Sequence, residues 1–328
     1  MKRINKPIAL IKLGYHISHE QFPPGELLRL AQKAEDAGFQ FCLSSDHFHP
    51  WRNEQGQSGF AWSWLGAALA TTKMEFGVVN CPCYRYHPAI IAQAAATLDE
   101  MFPDRFWVAF GSGQLLNEGI TGEHWPAKPE RNERLKEAVE VIRKLWKGET
   151  VNHHGHITVE EATLYTRPKT KIAALAAAIT PETAGWIAPW ADGLITISQS
   201  KEKLQEVIDA WKSNGGQNKP MILKVQLSYN ESMETATQGA YEQWKSNVFG
   251  SAMLADLRVP KQFEQASQHV KPEEMKDFVN ISPDLGQHAE WLKEYVEMGF
   301  TELVLHNVNT RQEKFIEDFG KTVLPKLI

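Results

Sequence analysis

Eight short apolar runs alternate along this chain with segments of helical periodicity, and that alternation leaves few folds open. The runs cover residues 8–13, 39–44, 74–80, 106–110, 172–177, 193–197, 221–227 and 302–305. Several are apolar almost throughout, as in strands buried on both faces of a parallel sheet. The intervening pattern predicts helices over 25–37, 61–70, 88–101, 134–146, 181–190 and 202–211. In the first of them Leu27, Leu28, Leu30, Ala31 and Ala34 gather on one side. Eight strand–helix alternations in 328 residues predict an α/β fold, a single (β/α)8 TIM barrel domain over 1–328. A doubly wound open sheet is the alternative.

Two stretches break the alternation. Residues 150–158 read as a hairpin turning at His154-Gly155. His153, His154 and His156 lie close together there, but nothing nearby adds a further ligand at helical spacing, so a solvated hairpin is expected and no metal. The second stretch, about 231–284, is polar and helical and separates the seventh strand from the eighth. A segment inserted at the C-terminal face of a barrel covers or shapes an active site.

Composition narrows the function. A net charge of −5 gives no general attraction to nucleic acid or to acidic membranes, and neither is expected as a partner. No apolar run approaches the roughly 20 residues of a membrane span. Residues 1–7 are basic without a long apolar stretch behind them, so no signal peptide is read there. Cys42, Cys81 and Cys83 suit a reducing cytoplasm, and Cys81-Pro82-Cys83 is too tight for a redox or zinc pair.

The chemistry lies after the strands. Ser44-Ser45-Asp46-His47-Phe48-His49-Pro50-Trp51 follows the second run and joins a carboxylate to an imidazole, with Trp51 four residues beyond His47. Histidine titrates near neutrality and a neighbouring Asp tunes it. Such a pair is also what an ion-pairing loop contains. Glu20 follows the first run, Asn80 ends the third, and Gly111-Ser112-Gly113-Gln114 follows the fourth. Small residues such as Gly111 and Gly113 let a backbone approach a planar or phosphorylated ligand, or simply form a tight turn. Ala177-Ala178-Ile179-Thr180 precedes a helix, where it suits either a cofactor phosphate or a plain Thr180 N-cap. Tyr15, Trp51, Trp62 and Trp64 are aromatic candidates for a planar pocket, Trp62 and Trp64 equally for core.

With these segments assembled, the chain resembles the bacterial luciferase-like flavin oxidoreductase superfamily, most closely its deazaflavin-dependent glucose-6-phosphate dehydrogenase branch. The residues that carry the resemblance include Leu13-Gly14-Tyr15, Glu20-Gln21-Phe22, Ser45-Asp46-His47-Phe48 with Pro50-Trp51, and Tyr86-His87-Pro88-Ala89. They continue through Gly111-Ser112-Gly113, Leu116-Asn117-Glu118, Ala191-Asp192-Gly193 and Leu303-Val304-Leu305-His306. The resemblance implies a flavin or deazaflavin ring at the strand C-termini and a homodimer, here expected on helices near 60–69 and 88–101. It places His47 on the catalytic histidine, Asp46 on a cofactor-contacting carboxylate, Glu20 on an active-site glutamate and Trp51 on an active-site tryptophan. Ser112 and Gly113 fall on contacts to the ring.

The departures shape the expected function. The branch carries a glutamate where this chain has Gln114, an amide that cannot exchange a proton at neutral pH. The basic residues that bind a sugar phosphate have no counterpart in 250–257 or 278–281, and Ala178-Ile179 replaces an expected glycine pair. These departures point to an FMN-dependent oxidoreductase of the luciferase-like monooxygenase type acting on a small organic substrate. A separate flavin reductase would supply it, since no dinucleotide fingerprint opens a helix. The alternatives are a dehydrogenase of alcohols or sugars using the deazaflavin coenzyme F420, and a non-enzymatic flavin binder.

Overall fold

A computed structural model describes residues 11–327. Its elements are β1 (Lys12–Ile17), α1 (Pro24–Asp36), β2 (Phe41–Ser44), α2 (Ala61–Thr71), β3 (Glu75–Asn80), α3 (Pro88–Met101), β4 (Phe106–Phe110), α4 (Leu115–Glu118) and α5 (Lys128–Trp146). After the hairpin β5 (Val151–His154) and β6 (Thr158–Ala162) come β7 (Ala174–Ala177), α6 (Pro181–Ile187), β8 (Leu194–Ile197), α7 (Lys201–Trp211) and β9 (Met221–Ser228). Next are α8 (Met233–Trp244), α9 (Ser251–Asp256), α10 (Pro260–Ala266) and β10 (Asn280–Ile281), then α11 (Leu285–Glu297), β11 (Glu302–Asn307) and α12 (Gln312–Thr322).

Eight parallel strands run in the order β1-β2-β3-β4-β7-β8-β9-β11, with β11 beside β1 and β8 beside β9, so the sheet closes on itself. This is the (β/α)8 barrel expected. β10 adds two residues to the C-terminal end of β9, and β5 and β6 pair only with each other.

The closed sheet has two cores. Outside it, amphipathic helices pack on the strands: α1 buries Leu27, Leu30, Ala31 and Ala34, with Leu28 only at the margin. Inside, Phe41, Trp107, Leu175, Ile222 and Val304 plug the lower barrel. The plug needs glycine in the facing strand. A Cβ on Gly77 would lie 2.2 Å from Cζ2 of Trp107, which no Cβ tolerates. Above it the inward positions turn polar, and the cavity begins.

Boundaries shifted where local chemistry outweighed periodicity. The first strand was expected over 8–13. Residues 8–10 lie outside the described residues, and β1 runs on to Ile17 because Gly14 and His16 face inward while Tyr15 and Ile17 face the helices. α5 begins at Lys128, six residues before the predicted start, since Pro129 suits a first turn and the polar Lys128–Arg134 stretch carries no apolar signal. α6 stops at Ile187, three residues short of 190, with Pro189 directly beyond its cap.

On the hairpin His153 pairs with Glu137 at 2.9 Å and His156 with Glu133 at 3.2 Å, both on α5. Among the described residues no helix is long and apolar enough to cross a membrane.

Candidate active site

The C-terminal ends of the strands surround a cavity of about 760 Å³, a size typical of small-molecule sites. The polar and glycine-rich segments that follow the strands reach its wall. Glu20, Asp46, His47 and Trp51 line one side. Asn80, Ser112, Gly113 and Gln114 line the next, and 177–180 follow around the mouth. Of the aromatic candidates only Trp51 takes part. Tyr15 is buried outside the barrel and donates to Gln312 at 3.0 Å. Trp62 packs on Phe106 and Trp64 on Phe76, so these three are core residues, placed there by strand and helix periodicity.

The loop after β2 is held from three directions. Asp46 accepts from Asn80 Nδ2 at 2.7 Å and from the Tyr86 hydroxyl at 3.0 Å. Arg85 lies 3.4 Å from the same carboxylate and donates to the Asp46 carbonyl at 2.8 Å. Asn117, on α4, accepts from the Phe48 amide at 2.9 Å. The loop therefore presents His47 in one orientation, its ring centroid 4.9 Å from that of Trp51.

Glu20 stands behind His47. Its Oε2 accepts from Ser45 at 2.8 Å and from Ser18 at 3.0 Å, and its Oε1 is 3.4 Å from His47 Nε2. Burial raises the Glu20 carboxyl, but His47, the residue's own backbone N–H and Ser45 together hold it below the usual carboxylate range. Burial lowers the His47 imidazole against the pull of Glu20, which keeps the ring neutral and basic at pH 7.

Gly113 sits at φ +83°, and a Cβ there would meet Cys81 Sγ at 2.8 Å and Glu118 Cγ at 3.0 Å. Ser112 accepts from Lys128 Nζ at 2.6 Å, which leaves its own proton free to donate. Asn80 Oδ1 is buried without a partner. Thr180 Oγ1 accepts from the Thr183 amide at 3.3 Å and caps α6, the plain structural role.

Several groups to which the sequence assigned no site role share this cavity. Glu118 accepts from the Arg85 amide at 3.1 Å. Burial raises its carboxyl to about 7 against the pull of Arg85, and the Asp46 charge adds to the rise. It lies four residues beyond Gln114, so one helical turn brings an acid to the region where Gln114 had suggested none. Lys224, His306 and His16 occupy inward strand positions, and Trp244, from the end of α8, joins them in the wall. A lysine inside the apolar β9 run was the available signal.

The stretch between β9 and α11 builds part of the wall. Ser251, Ala252, Ala255 and Asp256 reach the cavity, and none of them is basic. Asp256 accepts from Trp125 Nε1 at 2.9 Å and from Arg131 at 3.0 Å, while Phe263 packs edge-on against Trp51.

Comparison with known proteins agrees with this geometry. The family described as luciferase-like monooxygenase matches residues 8–302. An F420-dependent glucose-6-phosphate dehydrogenase of Microbacterium testaceum is 34% identical, covering 97% of each chain. One from Beutenbergia cavernae is 33% identical over 97% of this chain and 98% of its own. Among solved structures, an F420-dependent secondary alcohol dehydrogenase in complex with an F420-acetone adduct superposes with a TM-score of 0.89. It is 29% identical, over 97% of this chain and 99% of that one.

Proposed function

This chain belongs to the luciferase-like monooxygenase family and is an oxidoreductase of that kind; from that premise we propose that it is a deazaflavin-dependent dehydrogenase of a secondary alcohol. FMN as the main cofactor, the first expectation from sequence, finds no support in the relatives above, whose names carry F420. The reason for expecting FMN was also the absence of an acid at Gln114, and Glu118 supplies a protonatable carboxyl in the same cavity.

The observation that carries the reading is one cavity in which burial shifts a base and an acid in opposite directions, the imidazole down and the carboxyl up. Burial holds His47 below the ordinary imidazole value, and it raises Glu118 to about 7, so that carboxyl exchanges its proton near neutral pH. A neutral imidazole takes the hydroxyl proton of an alcohol, and Glu20 stabilises the imidazolium that results. When bound, a deazaflavin supplies the two-electron hydride acceptor that no side chain provides.

The residues present fit such a ring. Asn80 Oδ1 offers an acceptor with no protein partner, Ser112 a free hydroxyl proton, and Gly113 a close backbone. Trp51 and His47 face the substrate from the β2 loop. Residues 177–180 and Lys128 take the cofactor's tail. Glucose 6-phosphate is not the substrate in this reading, because the wall contributed by α9 is small and acidic rather than basic.

Anaerobic incubation with deazaflavin and a panel of secondary alcohols tests the proposal. Bleaching of the deazaflavin chromophore by at least one alcohol supports it. Turnover only with reduced FMN and oxygen would overturn it.

A further inference from the structure

The cavity floor is divided. On the side of β2, β3 and β8 it is apolar, with Leu43, Val79 and Ile195 at inward positions. On the side of β1, β11 and β9 the inward positions hold His16, His306 and Lys224. The fold does not need these polar groups, since the opposite side of the same layer packs without any.

Their hydrogen-bonding capacity is unspent. His306 is 3% exposed and neither of its ring nitrogens has a partner. His16 is 6% exposed and its Nδ1 has none. The two imidazoles lie with centroids 4.2 Å apart and their planes tilted by 52°, and His306 meets Trp244 edge-on at 4.9 Å. Lys224 Nζ lies 5.6 Å from the centre of the Trp244 ring, and no carboxylate among the described residues pairs with it. Its nearest negative charge, Glu20, is already held by Ser18, Ser45 and His47. An enclosed cation without a counter-ion is costly to keep and calls for a partner from outside the chain.

We propose that Lys224, His306 and His16 form a subsite for the carboxylate of the substrate, so that the enzyme acts on a hydroxy acid. This deepens the dehydrogenase reading above and rests on it. Charge matching selects the ligand. Lys224 carries the subsite's single positive charge beside two imidazoles kept neutral by burial, and Glu20 is already engaged by Ser18, Ser45 and His47, so the subsite suits a monoanion rather than a phosphate dianion. Lys224 is held at about 8, chiefly by burial, so it is mostly protonated at neutral pH. With the carboxylate docked there, the hydroxyl-bearing carbon extends toward His47 in the same cavity. His47 takes the hydroxyl proton, and a bound deazaflavin would supply the acceptor for the carbinol C–H electron pair, leaving an oxo acid as product.

Ligand-observed NMR with cofactor-free protein tests this directly. The probes are hydroxy acids of three to six carbons, the matching uncharged secondary alcohols, and inorganic phosphate. In the parent protein at least one hydroxy acid binds about tenfold or more tightly than its uncharged counterpart. Lys224→Met erases that preference and leaves affinity for the uncharged alcohols and for deazaflavin within about twofold. Lys224→Gln and His306→Gln serve in place of Lys224→Met should it not fold, each reducing the preference. The inference is overturned if no hydroxy acid is preferred, if the preference survives these substitutions, or if phosphate binds more tightly than every carboxylate. Intact deazaflavin binding with no carboxylate preference rejects this subsite alone. A protein that prefers hydroxy acids but binds no deazaflavin keeps the subsite and loses the dehydrogenase reading.

Discussion

Nε2 of His47 lies 3.4 Å from Oε1 of Glu20, and the other oxygen of that carboxylate is pinned by Ser18 and Ser45. The acid is thus a fixed charge behind the base, and it raises an imidazole that burial alone would lower further. Glu20→Gln therefore shifts the acidic limb of the kcat/KM profile to lower pH, because His47 then loses its proton more readily. His47→Ala lowers kcat by about two to four orders of magnitude, the range for losing a general base. Cofactor affinity changes little by comparison. Steady-state kinetics across pH, with calorimetry for the cofactor, checks both variants; a Glu20→Gln profile moved to higher pH contradicts the assignment.

Glu118 makes stability depend on pH. Its carboxyl is held at about 7 in the folded chain against an ordinary value of 4.5, so the folded state binds more protons between those values. Its contribution is fully present below the ordinary carboxylate pKa and is lost as pH rises through about 7. A shift of this size corresponds to roughly 3 kcal/mol between the two protonation states. Glu118→Gln removes the burden of a buried charge, so the variant melts higher than the parent at pH 8 and gains less at pH 5. Paired thermal melts at the two pH values decide the matter, and an equal offset at both contradicts it.

Gly77 faces the Trp107 indole within the barrel, with no room for a methyl group. Gly77→Ala costs about 1–3 kcal/mol through overpacking. Trp107→Leu in the same chain recovers part of that loss, measurable as a double-mutant cycle in chemical denaturation.

We propose that the chain forms a homodimer through α2 and α3. Phe60, Ile90 and Met101 are each more than half exposed there, among small residues such as Ala67 and Ala70. Apolar surface of this kind is typical of an obligate interface. Light scattering at micromolar concentration gives twice the chain mass if this holds, and Ile90→Glu shifts it to the monomer.

The barrel was legible in the sequence because eight buried parallel strands leave eight apolar runs, and the β2 loop was legible because Asp46, His47 and Trp51 sit together in the chain. What escaped was set by inward alternation within strands and by contacts across the barrel. His16, Lys224 and His306 come from three strands that are adjacent only once the sheet closes. Glu118 was visible, but its raised pKa depends on burial beside Asp46 and Arg85, which spacing cannot reveal. The proline-limited end of α6 and the polar start of α5 were misplaced because apolar periodicity carries no signal in a first or last turn.

The most direct test is calorimetric titration of the cofactor-free protein with deazaflavin and with FMN under one set of conditions. The account predicts a saturable site, one per chain, that binds deazaflavin at least about tenfold more tightly than FMN and is weakened when Asn80 is replaced by Ala. Tighter binding of FMN, or no saturable binding of deazaflavin, would contradict it.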